Sequence, residues 1–126
     1  MTTWITICDS CKKTDWQDRN TEETDGAVFA ARVEAAAKDV PGVQTRRHSC
    51  LMGCAGACNV AVQGSAGKLA YTLGRFDGSP EEAEAVVEYA RLHSQSETGQ
   101  VPFKQWPAPI KGHFVTRHPP LPGQDG

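Results

Sequence analysis

Five cysteines in two tight groups constrain this chain more than any other feature. Cys8 and Cys11 form a C-x2-C pair, and Cys50, Cys54 and Cys58 form a C-x3-C-x3-C run. Cysteines that only fill a core are scattered along a chain, whereas these are grouped. The opening stretch Met1-Thr2-Thr3-Trp4-Ile5 carries no basic segment followed by a long apolar one. No secretory signal is therefore expected, and the expectation is a cytoplasmic chain with reduced thiols. An odd count also argues against a closed disulfide framework. Soft thiolates in two groups suit zinc or an iron–sulfur cluster.

Composition narrows the partners. The chain has 126 residues, 39% hydrophobic and 22% charged, which suits one modest core in a globular domain. Thirteen Lys and Arg against fifteen Asp and Glu leave a formal net charge of -2. With no basic excess, nucleic acid is not an expected partner. No apolar run approaches the roughly 18 to 20 residues that cross a bilayer, so no membrane partner is expected either.

Periodicity then orders the elements. Residues 4–8, rich in β-branched and aromatic side chains, read as a strand that delivers Cys8 at its end. Residues 9–25 are polar and unpatterned, a surface loop. Asp25 reads as the N-cap of a helix over about 26–38, with Phe29, Val33, Ala36 and Ala37 at helical spacing and Pro41-Gly42 as its stop. A second strand at 43–48 leads into the cysteine run. Strands at 59–63 and 68–73, joined by Gly64-Ser65-Ala66-Gly67, form a hairpin in which Leu69, Tyr71 and Leu73 share a face. Ser79-Pro80-Glu81-Glu82 starts a second helix, with a capping box and proline at its first position, that runs to about His93. The order β-α-β-β-β-α is that of an α/β, thioredoxin-like sandwich in which parallel strands precede an antiparallel hairpin. Six of the eight prolines fall between Pro102 and Pro122, so the remainder is expected to be extended, without regular elements. Phe103, Trp106, Ile110 and Phe114 are expected to pack it back on the body. The expected organisation is a domain over 1–97 with a Pro-rich extension over 98–126.

In such a sandwich the loop with Cys8 and Cys11 and the loop with Cys50 to Cys58 leave the sheet at the same end, where four thiolates can enclose one centre. Four cysteines serve either a [2Fe–2S] cluster or a structural zinc. Structural zinc usually takes C-x2-C knuckles from both halves, and only the first half has one. The C-x3-C step spreads its sulfurs more widely, as one iron of a two-iron cluster requires. Gly53, Ala55, Gly56 and Ala57 are small enough to let backbone N–H groups approach bridging sulfides.

Cys50-Leu51-Met52-Gly53-Cys54, followed by a hairpin containing Gly67-Lys68-Leu69-Ala70-Tyr71, resembles the second half of thioredoxin-like [2Fe–2S] ferredoxins. The whole pattern, over about residues 4 to 120, more closely resembles a bacterial family of small predicted metal-binding proteins of unknown function. The resemblance implies Cys8, Cys11, Cys50 and Cys54 as cluster ligands. Those ferredoxins carry a longer gap between their first two ligands, and a proline after the last where this chain has Cys58. Cys58 is then an alternative ligand or a thiol beside the centre.

Three further readings stand beside this one. C-x2-C on such a fold suggests a thiol–disulfide oxidoreductase. Against it, the pair does not open a helix, and Cys58-Asn59 stands where that chemistry places a cis-proline. His48, two residues before Cys50, is a candidate second-shell group or a replacement ligand. Lys12, Lys13, Arg46 and Arg47 are either solvated charges or groups that offset a cluster's negative charge and dock an acidic partner. His93, His113 and His118 read as surface or tail positions, and no catalytic constellation is visible. The expectation is thus a one-electron carrier of low potential, not an enzyme, with a [2Fe–2S] cofactor and protein redox partners; the alternative is a zinc-binding or metal-handling module. Whether it forms a homodimer is left open.

Overall fold

In the computed structural model, which describes residues 2–9, 23–48, 58–64 and 68–119, strand β1 (Thr3–Cys8) sits between two neighbours of opposite sense. On one side it runs parallel to β2 (Val43–His48), from Thr3 opposite Val43 to Cys8 opposite His48. On the other it runs antiparallel to β3 (Val60–Gln63), which pairs in turn with β4 (Ala70–Leu73). A fifth strand, β5 (Phe114–His118), closes the order β2-β1-β3-β4-β5. Helices α1 (Asp25–Ala37) and α2 (Pro80–Gln95) pack against each other and against one face of this mixed sheet. No helix among the described residues is long and apolar enough to cross a membrane.

The core follows from strand alternation. Ile5 and Ile7 of β1, Val60 and Val62 of β3, and Tyr71 and Leu73 of β4 join Phe29, Val33, Val86 and Tyr89 of the helices in one buried cluster. Each such side chain contributes about 1.5 to 3 kcal/mol on leaving water. The other parity of β1, Trp4 and Thr6, faces away from the helices, and Trp4 is 41% exposed.

Helix α2 begins as its sequence predicts. The Ser79 hydroxyl accepts from the Glu82 amide at 3.2 Å, and the Glu82 carboxylate accepts from the amides of Ser79 (3.1 Å) and Gly78 (2.8 Å). Helix α1 starts one residue earlier than expected. Thr24, in extended conformation, is its cap and accepts from the Ala27 amide at 3.0 Å, and Asp25 is already helical. Both residue types can cap, so the local pattern does not separate them.

Two expectations are corrected. The stretch after Ser94 is more regular than its proline content suggests. It forms 3-10 turns at Phe103–Gln105 and Ala108–Ile110 and then β5. Pro102, Pro107 and Pro109 stand at or before the turns and the other three follow residue 118, which leaves residues 111–118 with every amide a ladder requires. Val101 and Ile110 are buried in the main core, with Trp106 and Phe114 packed against it, whereas Phe103, expected to pack with them, is exposed.

His93 is the second correction: it is wholly buried, not a surface residue. Its Nε2 lies 2.7 Å from the Leu69 carbonyl, which can only accept, so Nε2 carries the proton. Nδ1 therefore accepts from the Thr3 hydroxyl at 2.7 Å. Lys68 Nζ donates to the carbonyls of His93 (2.9 Å) and Ser94 (3.1 Å), closing the C-terminal end of α2. Leu69 donates its amide to Thr98 rather than to the sheet, which is why β4 begins at Ala70. One polar knot thus ties β1, the hairpin and α2 at one end of the molecule.

Burial, seconded by the nearby Lys68 charge, holds the His93 pKa below its ordinary value, with the bond to Leu69 opposing. The unfolded chain therefore binds a proton that the folded chain refuses, and stability falls as pH drops below about 6.5. His93→Gln should lower stability by about 1 to 3 kcal/mol at neutral pH. It should also flatten the decline between about pH 6.5 and pH 5. Urea unfolding of both proteins across that window is the measurement, and parallel pH profiles would refute this role for His93.

Candidate metal centre

The pairing of β1 fixes where the cysteine-bearing segments start and finish. Because β2 is parallel to β1, both strands end together, and the Asp9 amide donates to the His48 carbonyl at 3.0 Å. Because β3 is antiparallel, it begins where β1 ends, and the Cys8 amide donates to the Asn59 carbonyl at 3.1 Å. Cys58 donates its amide to Phe76 in the connection after β4 at 3.4 Å. The Thr24 hydroxyl donates to the Asp9 carbonyl, bringing the return of the first segment to the same place. Segments 10–22 and 49–57 are therefore both bounded by residues at one end of the sheet.

Helix α1 is pressed onto that end. A Cβ on Gly26 would lie 2.0 Å from the Cys8 carbonyl oxygen, 3.0 Å from the Cys8 carbonyl carbon and 3.1 Å from that of Asp9. Only a hydrogen fits between the helix and the Cys8–Asp9 peptide. The first turn of α1, with its outward amides, consequently faces the end of the sheet that carries Cys8 and Cys58. Helix α2 has the same sense, since its start follows Phe76 and its far end holds His93 against Thr3.

Of the expected ligands, Cys8 is among the described residues, and Cys11, Cys50 and Cys54 lie outside them. Cys8 is buried and has the strand parity of Thr6, away from the helices. Cys58 is also buried but belongs to the apolar cluster with Phe29, Val60 and Phe76. Among the described residues no three His, Cys, Asp or Glu side chains are grouped to hold a metal ion.

Lys12 and Lys13 likewise fall outside the described residues. His48 is exposed and is the cross-strand neighbour of Cys8. Arg46, on the same side of the sheet, donates through Nε to Thr6 Oγ1 at 2.7 Å and through Nη2 to Gln63 at 3.3 Å. Arg47 makes a two-pronged ion pair with Glu34 of α1, at 2.7 and 2.9 Å. That hydrogen-bonded pairing lowers the Glu34 pKa and raises that of Arg47. Arg47 therefore serves to join β2 to α1, and Arg46 lies along the open face.

Sequence reasoning missed Gly26, Asn59 and Arg75. Gly26 looks like any helix-start residue, and only the fold shows what it touches. Asn59 is buried and offers the carbonyl that holds Cys8. Arg75 adopts a left-handed conformation (φ 63°) immediately before Phe76, a costly shape for a residue other than glycine.

Gly26→Ala should displace α1 from the Cys8–Asp9 peptide. The expected loss is about 1 to 3 kcal/mol or more, the usual penalty of overpacking. Thermal unfolding measures it, and an unchanged midpoint would show that the contact is dispensable.

Comparison with curated proteins and with solved structures found no match. A family model does match, over residues 5–120, and the family is described as a protein of unknown function (DUF1636). With nearly its whole length covered by that match, the chain belongs to the DUF1636 family.

Proposed function

We propose that the chain is a [2Fe–2S] ferredoxin-like one-electron carrier, acting in the cytoplasm with protein redox partners and not as an enzyme. The observation that carries this reading is the shared end of the sheet at which Cys8, His48 and Cys58 stand and from which both cysteine-bearing segments depart. A parallel pair extended by an antiparallel hairpin, in the order β2-β1-β3-β4, supports a thioredoxin-like relationship. So does the placement of both helices on one face.

The residues fit such a group in their chemistry. Cys8, Cys11, Cys50 and Cys54 are the proposed ligands, a set of four thiolates suited to two irons. Cys58 is assigned to packing, because it sits in the apolar core with Phe29 and Phe76. A bound cluster would supply reversible one-electron transfer at low potential, on the order of a few hundred millivolts negative. The chain's own part is to hold and tune it. The Asn59 carbonyl fixes the Cys8 backbone, and Gly26 lets α1 bring its partial positive end close, which favours negative charge there. His48 and Arg46, beside Cys8 on the open face, stand where a partner would approach.

Anaerobically purified protein is expected to be reddish-brown, to contain about two irons and two sulfides per chain, and to bleach with dithionite. Cys8→Ser, Cys11→Ser, Cys50→Ser and Cys54→Ser should each lose or alter the spectrum. Cys58→Ser should keep the spectrum and lose stability, as burial of a hydroxyl in an apolar site predicts. Colourless protein with stoichiometric zinc would replace this reading with that of a metal-handling module.

A further inference from the structure

Away from the cysteines, β5 and the segment that precedes it enclose a cleft of about 540 Å³. Its wall is a run of rings in successive contact. Tyr71 meets Phe114 edge-on at 5.5 Å, Phe114 meets Trp106 at 4.5 Å, and Trp106 meets Phe103 at 4.9 Å. The wall is fixed before any ligand arrives. Trp106 Nε1 donates to the Val101 carbonyl at 2.9 Å, and Tyr89 packs edge-on behind Tyr71, Trp106 and Phe114. Phe103, 62% exposed, leaves the outer end of the run open to solvent.

The polar lining is sparse and has one sign. Among the described residues that line the cleft, Arg117 is the sole charged one and none is a carboxylate, with Thr116 and Gln100 as neutral donors or acceptors. Arg117 lies opposite Tyr71 in the β4–β5 register, and so at the Tyr71 end of the wall. A cavity of this size with an aromatic wall and few convergent polar groups has the makings of a small-molecule site. An aromatic wall favours a flat apolar body, and an arginine fork favours a carboxylate. The positive charge of Arg117 disfavours a cation.

We infer that this cleft binds a small planar aromatic carboxylate, its ring held against Trp106 and Phe114 and its anionic end at Arg117. The site is separate from the proposed cluster and stands or falls without it.

The probe is naphthoate, titrated against its uncharged counterpart naphthamide and followed by heteronuclear NMR. Naphthoate should shift the Trp106 indole N–H and the amides of residues 114–117 saturably, and should bind more tightly than naphthamide. Arg117→Gln should weaken naphthoate about tenfold or more, the range of a hydrogen bond to a charged group, and change naphthamide affinity less than about twofold. Phe103→Ala, at an exposed position, should weaken both compounds without loss of fold. Equal affinity for the two compounds, shifts scattered over the surface, or no saturable shift of the Trp106 signal would each overturn the inference.

Discussion

Everything at the cysteine end depends on the opposite senses of the two neighbours of β1. A parallel neighbour must be reached by a crossover, which α1 supplies, and so β1 and β2 point the same way and finish together. An antiparallel neighbour must start where β1 finishes. The chain consequently passes through one end of the sheet after β1, after β2 and before β3. Segments 10–22 and 49–57, far apart in sequence, thereby begin and end at one end of the sheet. The contact of Gly26 with the Cys8–Asp9 peptide then seats the crossover helix against that place.

Much of this architecture was legible in the residues, for identifiable reasons. The alternation of Leu69, Tyr71 and Leu73, the span 43–48, and the Ser79-Pro80-Glu81-Glu82 start are all local signals, and local bonds decide them. What escaped was non-local. His93 lies in a polar-looking stretch near the end of α2, and its burial depends on Thr3, ninety positions away, and on Leu69. β5 was hidden by flanking prolines, although the residues that form its ladder contain none before Pro119. Thr24 and Asp25 are both good caps, so only the geometry against Asp9 distinguishes them. At the site, the chemistry of Cys8 and Cys58 was legible, but their environments were not. Strand parity and membership of the apolar core separate the two thiols, and neither can be read from spacing.

The two ends of the molecule are stabilised by different physics. At one, His93, Lys68, Thr3 and Leu69 form a buried polar knot in which each bond has a defined donor. Such networks fix a unique arrangement because a lost partner leaves a desolvated group behind. At the other, outside the two segments that bear Cys11 and Cys50, order comes from strand ends, helix starts and one tight backbone approach. The arrangement places the polar knot at the end of the sheet opposite Cys8 and Cys58.

The outermost position of β5 bears on how the chain matures during synthesis. Until Phe114–His118 leaves the ribosome, the outer margin of β4 has nothing to pair with, while β1, β2 and β3 can already associate. A nascent intermediate whose β4 border is open in addition to that of β2 is built into the topology, and its lifetime is set by the rate at which some forty further residues are translated.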